Sequence, residues 1–370
     1  MIALVVAAAL FVAFVNGAND TMKGVATLYG SGVLGYRRAL ALATISTLLG
    51  SLASITLASG LVAAFSAKGL VPEHLLTPSF LAAAAIAAGL TVLLATRLGF
   101  PVSTTHALIG GIAGAGFVAA GSELNLTGLG SSFVVPLLLS PILAVVLAGG
   151  TYLAGRWTRG RLGIEAASCV CVGTEWVPVA AASPSVDAGV VPGIGKLTLL
   201  VGSSGEVCER RYVGTVAGVS AHTVVTAAHL TSAGLVGFAR GLNDTPKIVG
   251  LVAGASALSP AAGAAAIAAA MTIGGLVGAR RVAETLARKV TPINEGQGLA
   301  GNLATSLLVA GASSFGLPVS TTHVATGGIF GIGAAAGELR WKMAGAILLA
   351  WVTTLPLAAA LGAAAMWVLR

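Results

Sequence analysis

The sequence predicts an all-α polytopic membrane protein made of two inverted-topology repeats, with broken helices and helical hairpins, plus a small β-rich cytoplasmic insert. Three observations carry this prediction: a very low charge content, long apolar runs, and two polar motifs that each occur twice in the same order. Only 9% of the 370 residues are charged and 56% are hydrophobic, whereas a soluble domain carries about a quarter charged residues. The chain therefore has too little polar surface for a soluble protein of this length.

Long apolar runs mark the expected membrane segments. The longer runs reach the roughly 20 residues that cross a bilayer as a helix. The 51 glycines and the many alanines indicate close helix packing, because small residues let helix backbones approach each other in lipid. The runs are Ala39–Phe65, Phe80–Thr96, Phe133–Ala154, Ala261–Gly278 and Met343–Leu369.

The net charge of +8 does not indicate a nucleic-acid partner. The Arg and Lys residues lie between the apolar runs instead of forming one patch, so we expect them to orient the protein in the membrane. Met1–Val15 has no basic region before it and no A-x-A site after it. We therefore expect it to belong to the mature chain and not to a signal peptide.

An internal duplication is the most specific signal. Pro101–His106 (P-V-S-T-T-H) recurs as Pro318–His323, and Gly17–Lys23 (G-A-N-D-T-M-K) matches Gly241–Lys247 (G-L-N-D-T-P-K). Two such recurrences in the same order indicate a repeated unit. We predict a first membrane repeat over 1–157 and a second over 214–370.

The residues between the repeats, 158–213, are predicted to form a polar cytoplasmic insert. Short alternating segments such as Ser168–Val172 suggest strands, and flanking arginines indicate the cytoplasmic side. The insert holds Cys169, Cys171 and Cys208. A metal site would need a fourth ligand that the sequence does not offer, so we expect reduced thiols that serve as small buried residues.

The basic clusters predict the topology. They all fall on one side if Phe80–Ala119 and Gly298–Ala335 are hairpins that enter and leave by the same face. Each half then crosses the membrane three times, so the second half is inverted, as in many secondary transporters. We expect a multi-pass protein of the cell membrane with both termini outside. Arg97 fits this poorly, since it lies near a predicted hairpin tip.

Asp20 and Asp244 are the first candidate functional residues, because an ionisable group inside an apolar span is expensive. Gly17, Gly241 and Pro246 are predicted to break the helix around each Asn-Asp pair. The freed carbonyls, with the side chains of Asn19, Asp20, Asn243 and Asp244, would suit a hard cation such as Na⁺. Capping of a helix at the interface is the alternative role for the two aspartates.

The hydroxyl runs are the second candidate. Ser103, Thr104 and Thr105, like Ser320, Thr321 and Thr322, follow a proline and can cap the next helix. A helix N-terminus with added hydroxyl donors favours an anion, although the hydroxyls could serve only as caps. The carboxylates would then ligate a neutralising cation or accept hydrogen bonds from a protonated anion.

Four residues next to these motifs have two interpretations each. His106 and His323 could relay protons or pack as neutral rings. Lys23 and Lys247 could offset the carboxylates or meet the substrate, or their side chains could extend to the membrane interface.

Together the duplicated G-x-N-D and P-V-S-T-T-H motifs resemble the inorganic phosphate transporter family. The resemblance implies an inverted-repeat fold and phosphate as substrate, with Na⁺ or H⁺ as coupling ion and no other cofactor. By motif it implies central-site roles for Asn19, Asp20, Asn243 and Asp244. It implies phosphate contacts for Ser103, Thr104, Thr105, Ser320, Thr321 and Thr322. The sequence departs from the family where Thr21-Met22-Lys23 stands in place of small residues.

The predicted function is therefore ion-coupled phosphate symport by alternating access, with the substrate bound at the midplane. The partners are inorganic phosphate and the lipid bilayer, with a homodimer left open. Alternatives are a sulfate or other oxyanion permease, a passive channel, and an intramembrane hydrolase using Ser103 or Ser320. We do not expect an enzyme, because hydrolases rarely need two equivalent nucleophiles.

Overall fold

The structure, a computed structural model, describes residues 1–165, 168–176, 195–202, 217–254 and 259–370. The described chain is mostly helical, as the sequence predicts. The helices are α1 Ile2–Asp20, α2 Ala26–Gly30, α3 Tyr36–Leu57, α4 Ser59–Ala64, α5 Pro78–Leu98, α6 Thr104–Ala120, α7 Leu126–Leu129, α8 Val135–Leu162, α9 Ala221–Gly254, α10 Pro260–Gly278, α11 Arg280–Glu284, α12 Glu295–Ser314, α13 Thr321–Ala336 and α14 Trp341–Leu369. The strands are β1 Cys169–Trp176, β2 Gly195–Gly202 and β3 Ala217–Ser220.

Among the described residues, 7 helical segments are long and apolar enough to cross a membrane. They include α3, α5, α8, α10 and α14, which match the five apolar runs of the sequence. The run Ala39–Phe65 is divided at Ala58, which stands between α3 and α4 outside helical geometry. The five apolar runs were therefore confirmed, while α1 and α6 belong to the other two of the 7 segments.

Glycines allow helices from the two halves to pack closely. A methyl group on Gly17 of α1 would overlap the carbonyl oxygen of Met271 in α10. A methyl group on Gly241 of α9 would overlap the carbonyl oxygen of Thr47 in α3. Each half thus inserts its glycine against the backbone of the other half, and small residues make this approach feasible.

A second pair of close glycine contacts also joins the two halves. Gly114 of α6 lies against the carbonyl of Ala359 in α14, and Gly331 of α13 lies against the carbonyl of Val145 in α8. A Cβ at either glycine would overlap that oxygen. The helices after the P-V-S-T-T-H motifs are therefore held by backbone contacts made in two matching pairs.

The predicted helix breaks occur in the first half only. The helix α1 ends at Asp20, and a turn leads to α2 at Ala26. In the second half α9 runs unbroken from Ala221 to Gly254, with Pro246 inside it, so the prediction of a second break was wrong. Pro246 removes one helix hydrogen bond, whereas an unwound segment in lipid would leave several backbone groups unpaired.

The two helical hairpins are present. In the first, α5 ends at Leu98, Gly99 follows it with φ 78°, and α6 begins at Thr104. In the second, α12 ends at Ser314 and α13 begins at Thr321, with Gly316 at φ 68° in the link. Positive φ values favour glycine, so each link turns sharply just before its proline. That each hairpin enters and leaves by one face stays a prediction.

Residues Ala154–Ala228 form a compact unit of their own, and Met1–Leu153 with His229–Arg370 form the other. The small unit contains an antiparallel sheet in the order β2-β1-β3. Cys169 on β1 is buried and pairs in register with Gly202 and Ser220. Cys208 lies outside the described residues, and no cluster of three His, Cys, Asp or Glu suited to a metal ion occurs in the described part.

Candidate functional site

The two Asn-Asp motifs and the two hydroxyl runs meet in the interior of the larger unit. The amide of Asn16 lies at their centre. It donates to Asp20 Oδ2 and to Asp244 Oδ2, each at 3.3 Å, and to Thr104 Oγ1 at 3.0 Å. Thr321 Oγ1 donates to Asp244 Oδ2 at 3.3 Å. Asn16 and Asp244, which are 228 positions apart in sequence, thus share one polar cluster, as the duplication predicted.

Lys23 joins the two halves across this cluster. Its ammonium forms an ion pair with Asp20 and donates to Thr322 Oγ1. It also donates to the backbone oxygen of Val102 at 3.1 Å. The side chain is 3% exposed, so it offsets the carboxylate and does not reach the membrane interface.

Lys247 makes the corresponding contacts from the second half. It donates to Thr105 Oγ1 at 2.8 Å and to the backbone oxygen of Val319 at 2.6 Å. It also donates to Asn243 Oδ1 and lies 3.5 Å from Asp244 Oδ1. Each lysine therefore bonds to a carbonyl in the hairpin of its own half and to a threonine of the other half.

Arg240 is a site residue that the sequence interpretation missed. It is 2% exposed, and its Nε lies 3.6 Å from Asp244 Oδ2. Its guanidinium donates to Asn16 Oδ1 at 2.7 Å, to Thr21 Oγ1 at 3.2 Å and to Thr47 Oγ1 at 3.3 Å. The sequence did contain a signal for Arg240. It is a lone Arg one turn before Asp244, and residues four apart lie on the same face of a helix.

Asn19 and Asn243 connect the two Asn-Asp motifs to the helical hairpins through hydrogen bonds. Asn19 Nδ2 donates to Thr96 Oγ1 at 2.8 Å and to the Phe100 carbonyl at 3.0 Å, and Asn19 Oδ1 accepts from Val102 N at 3.1 Å. Asn243 Nδ2 donates to Ser313 Oγ at 2.7 Å. These contacts orient the hairpins. The sequence predicted the hairpins but not this role for the two asparagines.

Ser103 and Ser320 are the N-caps of α6 and α13. Their hydroxyls accept hydrogen bonds from the backbone N–H groups of His106 and His323, each at 3.1 Å. This is the capping geometry that the sequence predicted. The N-termini of α6 and α13, which carry partial positive charge, therefore begin within the polar cluster.

The two histidines lie against each other behind the hydroxyl runs. The ring centroids of His106 and His323 are 4.4 Å apart, and Trp351 stacks on His323 at 4.0 Å. Trp351 Nε1 donates to the Pro101 carbonyl at 3.0 Å. The rings are therefore packed, as one of the two interpretations held, and proton relay stays untested.

The charges of the cluster nearly balance. Lys23, Lys247 and Arg240 supply three cations, and Asp20 and Asp244 supply two carboxylates, so with ordinary ionisation the net charge is one positive unit. All five side chains are buried, and buried charges persist only when they are paired and hydrogen-bonded. A small anion would bring the cluster close to neutrality.

Comparisons of sequence and structure found related proteins. A model of the phosphate transporter family matches residues 16–362. A Mycobacterium bovis protein named "Probable low-affinity inorganic phosphate transporter" is 31% identical over 377 residues, covering 98% of this chain and 76% of its own length. A Rhizobium meliloti protein of the same name is 28% identical, covering 97% of this chain and 93% of its own. A solved structure titled "The sodium-dependent phosphate transporter" has the same fold, with a TM-score of 0.73 and 22% identity over 100% of this chain and 98% of that one.

Proposed function

This chain belongs to the phosphate transporter family, and from that premise we propose that it is an ion-coupled symporter of inorganic phosphate. It is a multi-pass membrane transporter and not an enzyme, since its relatives are transporters. The observation that carries the proposal is the meeting of both hydroxyl runs with three buried cations and two carboxylates. A phosphate ion needs many donors, and this cluster supplies hydroxyls, ammonium groups and helix N-termini.

Phosphate binds in this proposal to Ser103, Thr104, Thr105, Ser320, Thr321 and Thr322. The lysines that contact Thr105 and Thr322 keep their ammonium groups beside these hydroxyls, where their positive charge attracts the bound anion. Asp20 and Asp244 accept hydrogen bonds from the hydroxyl groups that phosphate retains near neutral pH. Sulfate has no proton to donate there, so the carboxylates would be left unpaired and sulfate would bind less well.

Alternating access follows from the arrangement of two inverted repeats, 1–157 and 214–370, around this cluster at the midplane. The matched glycine contacts between α1 and α10, and between α3 and α9, support a two-fold relation of the halves. In this proposal Asn19 and Asn243 hold the hairpins in place. Both termini lie outside, and the insert 158–213 faces the cytoplasm.

The coupling ion is Na⁺ or H⁺. The name of the solved neighbour, a sodium-dependent phosphate transporter, favours Na⁺ on grounds of likeness. The oxygens of Asn19, Asp20, Asn243 and Asp244 are of the kind that a hard cation prefers.

Uptake of radiolabelled phosphate into proteoliposomes tests the proposal. Na⁺ and pH gradients are imposed separately, with unlabelled sulfate added as a competitor. Saturable uptake driven by one gradient and resistant to excess sulfate is expected. Complete competition by sulfate would favour the oxyanion-permease alternative, and no uptake under either gradient would refute transport of phosphate.

A further inference from the structure

We propose that Lys23 and Lys247 are built-in cations that fill the two cation positions of the site, so that phosphate transport by this chain needs no Na⁺. This inference rests on the proposed phosphate transport and specifies its ion requirement. The duplication places each of the two ammonium nitrogens beside a threonine hydroxyl of the other half and a backbone carbonyl of its own half.

The first position is formed by oxygen atoms of three kinds. The Lys23 ammonium contacts a carboxylate oxygen of Asp20, a hydroxyl oxygen of Thr322 and the backbone oxygen of Val102. Carboxylate, hydroxyl and carbonyl oxygens are the groups by which proteins coordinate hard cations. All three come from the motifs that define the site, so the ammonium occupies the place where a coupling cation would be expected.

The second position matches the first in its threonine hydroxyl and its backbone carbonyl, and has the amide oxygen of Asn243 where the first has the carboxylate of Asp20. The Lys247 ammonium contacts Thr105 Oγ1 at 2.8 Å, the Val319 carbonyl at 2.6 Å and Asn243 Oδ1, and it lies 3.5 Å from Asp244. An ammonium group has three donors, and all three are directed at oxygens. The match between the halves indicates that both lysines serve the same purpose.

The charges already present disfavour the binding of a further cation beside the two lysines. Each carboxylate is already paired with a lysine, and Arg240 lies 3.6 Å from Asp244 as well. The cluster carries more positive than negative charge before any ion enters, and like charges in a buried site repel. The residues present therefore do not fit Na⁺, unlike the expectation drawn from the four Asn and Asp side chains.

Phosphate exchange is the direct test. Proteoliposomes are loaded with unlabelled phosphate, and entry of labelled phosphate is followed in sodium chloride, potassium chloride or N-methyl-D-glucamine chloride. Because exchange needs no gradient, it isolates the requirement for the ion. Equal rates in the three buffers are expected, and a rate that falls at least about tenfold without Na⁺ would overturn the inference.

Thermal unfolding in detergent gives a second, activity-free readout. The wild-type melting temperature should be the same in sodium and potassium chloride. Lys23→Ala empties the first position and leaves Asp20 unpaired, so Na⁺ should raise its melting temperature by about 3 °C or more over K⁺. Lys23→Met fills the position with an uncharged chain and should show no such shift, and neither should the exposed control Lys342→Ala.

The results separate this inference from the proposed function. A wild-type melting temperature that rises specifically with Na⁺ would overturn the lysine assignment, as would a folded Lys23→Ala protein indifferent to Na⁺. If neither lysine variant folds, the wild-type exchange and melting measurements still decide. Absence of exchange in every buffer would instead refute phosphate transport, while the melting comparison would still judge the lysines.

Discussion

Replacing Arg240 with glutamine removes the third cation of the site. The side chain is 2% exposed, and its guanidinium joins Asn16, Thr21 and Thr47 while Nε faces Asp244. Glutamine keeps a donor but no charge, so the cluster falls from one net positive unit to none. Arg240→Lys keeps the charge but loses the planar set of donors.

The expected loss of affinity follows from the charge. Two opposite unit charges about 8 Å apart attract each other by roughly 2 kcal/mol at an effective dielectric constant of about 20, and we take that separation for the guanidinium and a monoanion bound at the hydroxyl runs. Loss of that term weakens phosphate binding about thirtyfold. The protein is also less stable, because removing one partner of a buried ion pair costs about 3–5 kcal/mol.

The half-saturating phosphate concentration in the exchange assay measures this effect. It should rise about thirtyfold in Arg240→Gln and less in Arg240→Lys. The exposed Arg38→Gln should leave it unchanged. Monodisperse elution and a melting curve establish that each variant is folded. A folded Arg240→Gln protein with wild-type half-saturation would refute the view that this charge attracts the anion.

Three further predictions concern binding, packing and capping. Thr321→Val removes the donor to Asp244 without changing side-chain shape, so half-saturation should rise about fivefold to tenfold in the exchange assay; an unchanged value would argue against a role for this hydroxyl. Gly274→Ala sets a methyl group against the Phe14 carbonyl, so the melting temperature should fall clearly, whereas Gly345→Ala has open space and should not lower it; equal melting temperatures would contradict the close packing of α1 and α10. Ser103→Ala removes the cap of α6 and should cost about 1 kcal/mol in chemical unfolding, and a stability equal to wild type would show that another group caps the helix.

The duplicated motifs made the centre of the site predictable. Two copies of G-x-N-D and P-V-S-T-T-H in the same order indicate that equivalent positions face each other, and the cluster around Asn16 brings them together. The capping serines were also predictable, because a hydroxyl after a proline break has a well-known local role. Local chemistry and repetition were thus the reliable signals.

Tertiary contacts explain what could not be predicted. Gly17 and Gly241 were interpreted as helix breakers. Both instead allow a neighbouring helix to pack closely against them. The sequence does not show which backbone lies against a small residue, so this role could not be predicted. Pro246 was expected to lie at a break and to start a new helix, but it lies inside one that continues from Ala221 to Gly254. Arg240 was overlooked because its counterpart at the same position of the first half is Asn16, so comparison of the repeats hid it.

The exchange of glycine contacts between the halves has a consequence for how such a protein could have arisen. Gly17 lies against Met271, and Gly241 lies against Thr47, so neither half supplies the surface that its own glycine requires. An ancestral protein with one half could complete its polar centre only by pairing with another molecule of itself. Fusion of the two genes would then have freed the copies to diverge, as Asn16 and Arg240 now do.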